Sequence, residues 1–386
     1  MVLTTATGQT TPRYNGLVSD ILISAGEASG DRYAAWLAEA VHRQDPNVSF
    51  FGCAGERLKA AGCEVTVDAS ALSTVGLKEV LSDIPRIYGH FKNLVKEAER
   101  RRPKLAILVD SPDFNLRVAK QLQKIDIPVL YLVAPQAWAW RPWRTRQIAR
   151  LVRRLLCIFP FEEAWFRDRG VNAEYIGHPL ARRIEPAMPR AEFFARWNLD
   201  PARPLVALLP GSRRKEIALN LPGMLDAAKR LPAQPAVALA PGIAGADVAP
   251  GATQISGPSA SWDLLAHADV SIVASGTVTV EAALLGAPMV VVYKVTQPTW
   301  RVGRLLVRTP YYSMVNLVAG RRVVEELIQD AFTPQAVAAE AARLLESSTA
   351  RDDQRRGLAE VSRLLATDGD PMTRAAERVA EMAAGR

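Results

Sequence analysis

The sequence predicts an α/β protein of two Rossmann-like βα domains, and three observations carry that prediction. Near-continuous apolar runs alternate with helical patterns through most of the 386 residues. The alternation breaks once, at the Pro- and Arg-rich stretch 177–204, and strand patterning is absent after residue 322. Strands apolar on both faces and separated by helices indicate parallel βαβ units.

In chain order, ILIS (21–24), VSFFG (48–52), LAILV (105–109), PVLYLV (128–133) and LLCIF (155–159) read as buried strands. Tyr33–Val41 and Phe114–Leu122 carry the three-to-four-residue apolar spacing of helices between them. After the break, LVALL (205–209), AVALA (236–240), VSIVA (270–274) and MVVVY (289–293) form a second series, followed by Ala-, Glu-, Arg- and Leu-rich helices. The expected domains are a disordered extension (1–19), an N-terminal Rossmann-like domain (20–185), a second one (190–345) and terminal helices (346–386). In such folds ligands bind at the carboxyl ends of the strands, so a crevice between the two domains is the expected site.

Bulk properties narrow the partners. With 49% hydrophobic and 23% charged residues the chain has a globular composition, and its formal net charge of +8 favours anionic partners. The polar first nineteen residues lack the apolar core of a signal peptide, and no uninterrupted apolar run is long enough to span a membrane. Cys53, Cys63 and Cys157 lie in apolar flanks without C-x-x-C spacing, which reads as buried free thiols in a reducing compartment. A cytoplasmic protein is expected.

Four turns that join a strand to a helix carry the chemistry. In ASGTVTVE (274–281), small residues Ser275, Gly276 and Thr277 open a helix whose free N–H groups favour a diphosphate. Glu281 follows one turn later, suited either to the hydroxyls of a ribose or to a solvated helix face. LLPGSRRKE (208–216) places Gly211, Ser212 and Arg213 before a second helix, with Arg213 the best pyrophosphate clamp. VDSPDFN (109–115) brings Asp110 and Asp113 to a turn shaped by Pro112. Asp113 is either a general base or a helix N-cap. GEASGD (26–31) has the topology of a phosphate loop, yet Glu27 and Asp31 would repel a phosphate. No metal-ligand cluster is present in the sequence, and no cofactor is expected.

The ordered set GEASGD, VDSPDFN, APQAWAWR, IGHPL, LLPGSR, ASGT…E and NLVAGR…VEELIQD, from about residue 20 to 346, resembles the lipid-A-disaccharide synthases, a GT-B type family of UDP-sugar glycosyltransferases. The resemblance implies an inverting transfer from UDP-diacylglucosamine to the 6-hydroxyl of diacylglucosamine 1-phosphate (lipid X), giving a β-1,6 link. It favours Asp113 as base. On the residues themselves Asp110 either orients it or holds Asn115, Glu27 is a rival base, and Gly26, Ser29, Gly30 and Asp31 read as a sugar-side loop. The resemblance assigns Asn316 to the donor side. It also implies terminal helices that cross between domains or between subunits, which leaves a homodimer open. His178 in IGHPL reads as structural, between the domains.

Acylated substrates imply contact with the cytoplasmic face of the inner membrane. The segment 73–104 offers an apolar cluster of Val75, Leu77, Val80, Leu81, Ile84 and Ile87 bordered by Lys78, Arg86, Lys92 and Lys96. The pattern equally suits a core-facing helix. Trp138 and Trp140 are expected at the domain interface, with the arginines of 141–154 facing solvent or lipid phosphate. The alternatives are another GT-B transferase or a UDP-sugar epimerase, the latter disfavoured by the apolar cluster. Outside enzymes, the basic and aromatic mix also suits a nucleic-acid-binding module, although no nucleic-acid partner is expected.

Overall fold

The computed structural model describes residues 19–72, 77–239, 248–307 and 309–385. The chain divides into two compact units, residues 1–179 with 367–386, and residues 180–366. The expected extension 1–19 lies outside the described residues except for Ser19, which begins the first strand.

The first unit opens with β1 (Ser19–Ala25), α1 (Ala28–Gln44), β2 (Val48–Ala54), α2 (Glu56–Ala60) and β3 (Cys63–Asp68). It continues through α3 (Leu77–Arg101), β4 (Leu105–Val109), α4 (Pro112–Lys124), β5 (Val129–Leu132) and α5 (Ala137–Trp140). It then runs through α6 (Arg144–Leu151), β6 (Arg154–Cys157), α7 (Pro160–Arg167) and β7 (Ala173–Tyr175). The strands pair in parallel in the order β3-β2-β1-β4-β5-β6-β7. Every residue of β4 and β5 is buried, which is why those strands read as unbroken apolar runs. Leu22, Phe51, Leu108, Tyr131 and Phe166 are fully buried or nearly so in the core on one face.

The second unit begins with α8 (Arg190–Arg196), β8 (Leu205–Leu209), α9 (Arg214–Ala228), β9 (Gln234–Ala238) and β10 (Thr253–Ile255). α10 (Ala260–His267), β11 (Val270–Ala274), α11 (Thr277–Leu284), β12 (Met289–Tyr293), α12 (Gln297–Leu306) and α13 (Met314–Ala319) follow. β13 (Glu325–Ile328), α14 (Pro334–Glu346) and α15 (Ser348–Leu365) complete it. Its strands are also parallel, in the order β10-β9-β8-β11-β12-β13.

The last helix, α16 (Pro371–Ala383), belongs to the first unit, where it packs on α1. Met372, Ala375, Ala376 and Val379 are buried, and Arg378 pairs with Glu174 at 2.9 Å. Gly177 makes this return fit. A Cβ there would stand 2.3 Å from the Thr367 hydroxyl, and φ is +94°. The terminal region thus differs from the single set expected at 346–386, because α15 stays with the second unit and only α16 returns. The first boundary falls at Pro179, inside the segment expected to close the N-terminal domain.

Four strands escape the apolar-run reading: β3, β7, β10 and β13. Each is the edge of a sheet. β13, EELI, corrects the expectation that strand patterning ends at 322; all four of its residues are only half-buried, so no apolar run marks it.

Candidate active site

Both sheets reverse their strand order at the centre, between β1 and β4 in the first unit and between β8 and β11 in the second. At such a switch point the loops leaving adjacent strands diverge and open a ligand crevice at their carboxyl ends. The four motif loops are the ones that leave those four strands. The topology therefore collects the expected chemistry in two pairs, GEASGD with VDSPDFN and LLPGSR with ASGT.

In the first unit, Asp110 (φ 51°) and Ser111 (φ 45°) take left-handed backbone conformations in succession. Such residues cost about 1–3 kcal/mol each and persist only where the surroundings over-determine them. Buried Asn115 supplies that constraint, donating from Nδ2 to the carbonyls of Asp110 (2.8 Å) and Val109 (3.0 Å). Its Oδ1 accepts from Ser24 Oγ on β1 at 2.8 Å, and the Tyr131 hydroxyl donates to the Asp110 carbonyl at 2.5 Å. Asn115, Ser24 and Tyr131 thus fix the turn, a role invisible without the fold.

Asp113 emerges from this turn at the start of α4 with its side chain 70% exposed. Both Arg141 (3.0 Å) and Arg144 bond to its Oδ1. Surrounding protein raises its pKa, but the Arg144 hydrogen bond and the two guanidinium charges outweigh this, leaving the carboxyl below its ordinary value. Two of the arginines expected to face solvent or lipid phosphate, Arg141 and Arg144, are instead partners of the candidate base, while Arg146, Arg150 and Arg153 are exposed. Arg141 lies 3.6 Å over the Trp140 ring.

The first loop departs from expectation at Asp31. Its buried carboxylate accepts from the backbone N–H groups of Gly55 (2.7 Å), Arg57 (3.0 Å) and Leu58 (3.3 Å), capping α2. That role occupies both oxygens inside the unit, so Asp31 is not a sugar-side group. Glu27 is exposed and extended at the N-cap of α1, while Ser29 and Gly30 lie in its first turn, below Gly26. A Cβ on Gly30 would lie 3.5 Å from the Asp110 Cβ, an ordinary contact, which shows that the two loops are neighbours.

Trp138 packs within this unit, its indole N–H donating to Glu162 at 3.1 Å and its ring meeting Phe161 edge-on at 5.0 Å. His178 lies fully buried between Tyr33 and Phe159, and burial pushes its pKa down to about 3. Val75 lies outside the described residues, as do the side chains of Leu77, Val80, Leu81 and Ile84. Ile87 is half-buried on α3, beside Tyr88, which is 53% exposed and capped by Lys92 at 4.6 Å.

The second unit presents the opposite character. Gly211 has φ +114°, and a Cβ there would stand 2.7 Å from a Glu216 carboxylate oxygen, so only glycine fits this turn. Ser212 precedes Arg213, which N-caps α9 and has a side chain 63% exposed, 3.5 Å from Glu216. Buried Asn220 ties the loop down through the Pro210 carbonyl (3.1 Å) and the Lys294 N–H (3.0 Å). Ser275 donates to the Tyr312 carbonyl at 2.7 Å, leaving Gly276 and Thr277 exposed at the opening of α11. No atom lies within 4 Å of where a Gly276 Cβ would stand, so this turn is open on the side a side chain would occupy. Glu281 is buried one turn along α11.

Asn316 is the second departure. It is fully buried and uses its whole amide internally. Nδ2 donates to Val324 O (2.9 Å) and Glu326 (2.8 Å), and Oδ1 accepts from Val323 N (2.7 Å) and Val324 N (3.0 Å). It therefore has no capacity left for a ligand. Its partner Glu326 also accepts from Tyr312 N and Ser313 N at 2.9 and 2.8 Å, bracing the loop that receives Ser275. Glu326 and Asn220 were not expected from the sequence; a residue that acts by holding a backbone turn leaves no local signature.

Among the described residues no group of three or more His, Cys, Asp or Glu side chains is placed to hold a metal. All three cysteines are buried and free, and burial raises the Cys53 and Cys63 thiols to about 12.

Comparison with known proteins shows the family and the fold. The chain is 51% identical over 377 residues to a lipid-A-disaccharide synthase of Solibacter usitatus, covering 95% of this chain and 98% of the relative. Among solved structures, the calicheamicin glycosyltransferase CalG4 superposes with a TM-score of 0.59 at 16% identity, over 95% of this chain and 98% of that one. A putative UDP-N-acetylglucosamine 2-epimerase from Listeria monocytogenes gives 0.63 at 12% identity, over 93% and 95%. At those identities the likeness is one of fold, the GT-B arrangement of two Rossmann-like domains. The profile of the lipid-A-disaccharide synthetase family matches residues 21–376, and the chain belongs to that family.

Proposed function

We propose that this protein is an inverting glycosyltransferase that joins two acylated glucosamines into the lipid A disaccharide. The donor is UDP-2,3-diacylglucosamine and the acceptor 2,3-diacylglucosamine 1-phosphate; the products are the β-1,6-linked disaccharide 1-phosphate and UDP. One observation carries the reading beyond family membership: two switch-point loop pairs of opposite character, one carboxylate-bearing and rigidly held, the other glycine-lined, open and carrying an exposed arginine.

The chemistry divides accordingly. A sugar hydroxyl is a poor nucleophile until a base takes its proton as it attacks. Asp113 accepts the proton of the 6-hydroxyl, that oxygen bonds to the donor's anomeric carbon, and the carbon–diphosphate bond breaks with its electron pair leaving on UDP. Asp110 and Glu27 flank the reacting hydroxyl. The diphosphate rests on the opening of α11 at Ser275, Gly276 and Thr277, with Arg213 adding a guanidinium fork for the departing charge and Glu281 holding the ribose.

The acyl chains call for a lipid surface. No helix among the described residues is long and apolar enough to cross a membrane. α12 buries none of its residues and exposes Leu305 (79%) and Val302 (59%) beside Arg301 and Arg304, a pattern suited to an anionic interface. Its Trp300 packs on Tyr312, whose carbonyl receives Ser275, so the helix adjoins the donor loop. Peripheral membrane contact through α12 and α3 is part of this proposal.

Incubating the protein with both substrates and following UDP release together with disaccharide tests the reaction. UDP release without disaccharide, or epimerised sugar in place of transfer, contradicts it. For the surface, Leu305→Ser should weaken sedimentation with phosphatidylglycerol vesicles; unchanged binding removes α12 from the account.

A further inference from the structure

Two guanidinium groups converge on one carboxylate oxygen. Arg141 and Arg144 both bond to Oδ1 of Asp113, and Asp110 is the other acidic group of this turn. Arg144 is also the first residue of α6, where the helix already presents partial positive charge and a cation is disfavoured. The opening of α4, with Pro112 at its first position, adds a third positive element beside Asp113. Neither arginine is a floppy surface group. Their side chains are only 28% and 16% exposed, and Arg141 lies flat on the Trp140 ring. Two guanidinium groups that meet on one carboxylate oxygen, beside helix openings, suit a phosphate dianion better, because its three terminal oxygens let each make its own hydrogen bonds.

A carboxylate shared by two arginines is also a poor proton acceptor. Its proton affinity is held down by the charges that fix it in place. The acceptor under the reading above carries the group that relieves this. Its 1-phosphate and its 6-hydroxymethyl are borne by the two ring carbons that flank the ring oxygen, so both lie on one edge of the sugar. A phosphate drawn to the arginines therefore brings the hydroxyl towards the carboxylate that they release.

We propose that Arg141 and Arg144 form the subsite for the acceptor's 1-phosphate, and that their transfer from Asp113 to that phosphate turns Asp113 into a working base. The acceptor thereby unmasks the group that activates it, and a sugar without the phosphate meets a base still paired. This inference rests on the transferase reading and on Asp113 as its base.

The test compares the 1-phosphate acceptor with the same diacylated sugar bearing a 1-O-methyl group. Wild-type kcat/KM should favour the phosphate by on the order of 100-fold or more. In Arg141→Gln and in Arg144→Gln that ratio should fall at least tenfold, with Arg144→Lys intermediate because it keeps charge without the fork. Thermal melting verifies that each variant is folded. The acid limb of kcat should lie at higher pH with the phosphorylated acceptor than with the 1-O-methyl one, since the first reports Asp113 freed of its arginines and the second Asp113 still paired. Equal losses for both acceptors, leaving the ratio intact, or coincident acid limbs, overturn the inference while the transferase reading stands. Absence of transfer by wild-type protein to either acceptor removes the transferase reading and this inference with it.

Discussion

The two units share one topology and use it to opposite ends. In the first, the loops at the switch point are held from beneath: Asn115, Ser24 and Tyr131 bolt a strained turn so that Asp113 projects in a fixed direction. In the second, Gly276 opens onto empty space and Arg213 reaches outward, while Asn220 and Glu326 brace the loops from behind. A parallel sheet with a central reversal thus decides where chemistry can be placed, and the loop residues decide its sign. Under the proposed reading, one arrangement presents a proton acceptor and the other receives an anion.

The sharpest way to break this contrast is to neutralise the base. Asp113→Asn should lower kcat by roughly 10²–10⁴-fold, the range for losing a positioned general base. Near-normal turnover would shift the role to Glu27. Next comes the open loop: Gly276→Val fills the space above α11 with a β-branched side chain at φ +156°. UDP affinity should fall at least tenfold, read by calorimetry, and the melting temperature should fall with it, since valine is strained in this glycine-favouring conformation. A variant that binds UDP normally would place the diphosphate elsewhere.

The bracing residues give smaller effects, read as stability. Asn316→Ala strands buried backbone groups of Val323 and Val324 and should destabilise the protein by about 1–3 kcal/mol in denaturant melts. A neutral outcome would mean that the 311–326 turn stands without it.

A pH effect on stability comes from the first unit. Burial raises Glu162 to about 8, against the partial relief of its Trp138 and Phe159 hydrogen bonds. An acid raised on folding contributes stability below its unfolded pKa and loses it as the pH climbs through the folded value. Buried His178, its pKa pushed down, opposes this below the ordinary histidine range, so melting temperature should decline from about pH 6.5 to pH 8, and Glu162→Gln should flatten that decline. An unchanged slope in the variant would assign it to other groups.

The central strands were legible because burial on both faces leaves an unbroken apolar run; LAILV, LVALL, VSIVA and MVVVY match β4, β8, β11 and β12 residue for residue. The edge strands were not, since CEVTVD and EELI are partly exposed and read as mixed polar segments. The four loops were legible for the same local reason, small residues and charges at strand ends. The division of labour within them was not. Asp31 and Asn316 look like ligand contacts in sequence and turn out to be hydrogen-bond anchors, because their partners lie some 24 and 7–10 residues away. Arg141 and Arg144, 28 and 31 residues from Asp113, were hidden by the same distance along the chain. The exposed face of α12 was visible in TWRVGRLL as apolar residues interleaved with arginines, and passed unread beside the longer apolar cluster at 73–104.

The central claim is that proton acceptance and nucleotide binding reside on different units. Titrating UDP into wild-type protein, Asp113→Asn and Arg213→Ala tests it most directly. The account predicts a wild-type Kd for Asp113→Asn and a Kd raised roughly tenfold to a hundredfold for Arg213→Ala, the loss expected for hydrogen bonds to a charged group. A weakened Asp113→Asn together with an unaffected Arg213→Ala would contradict it.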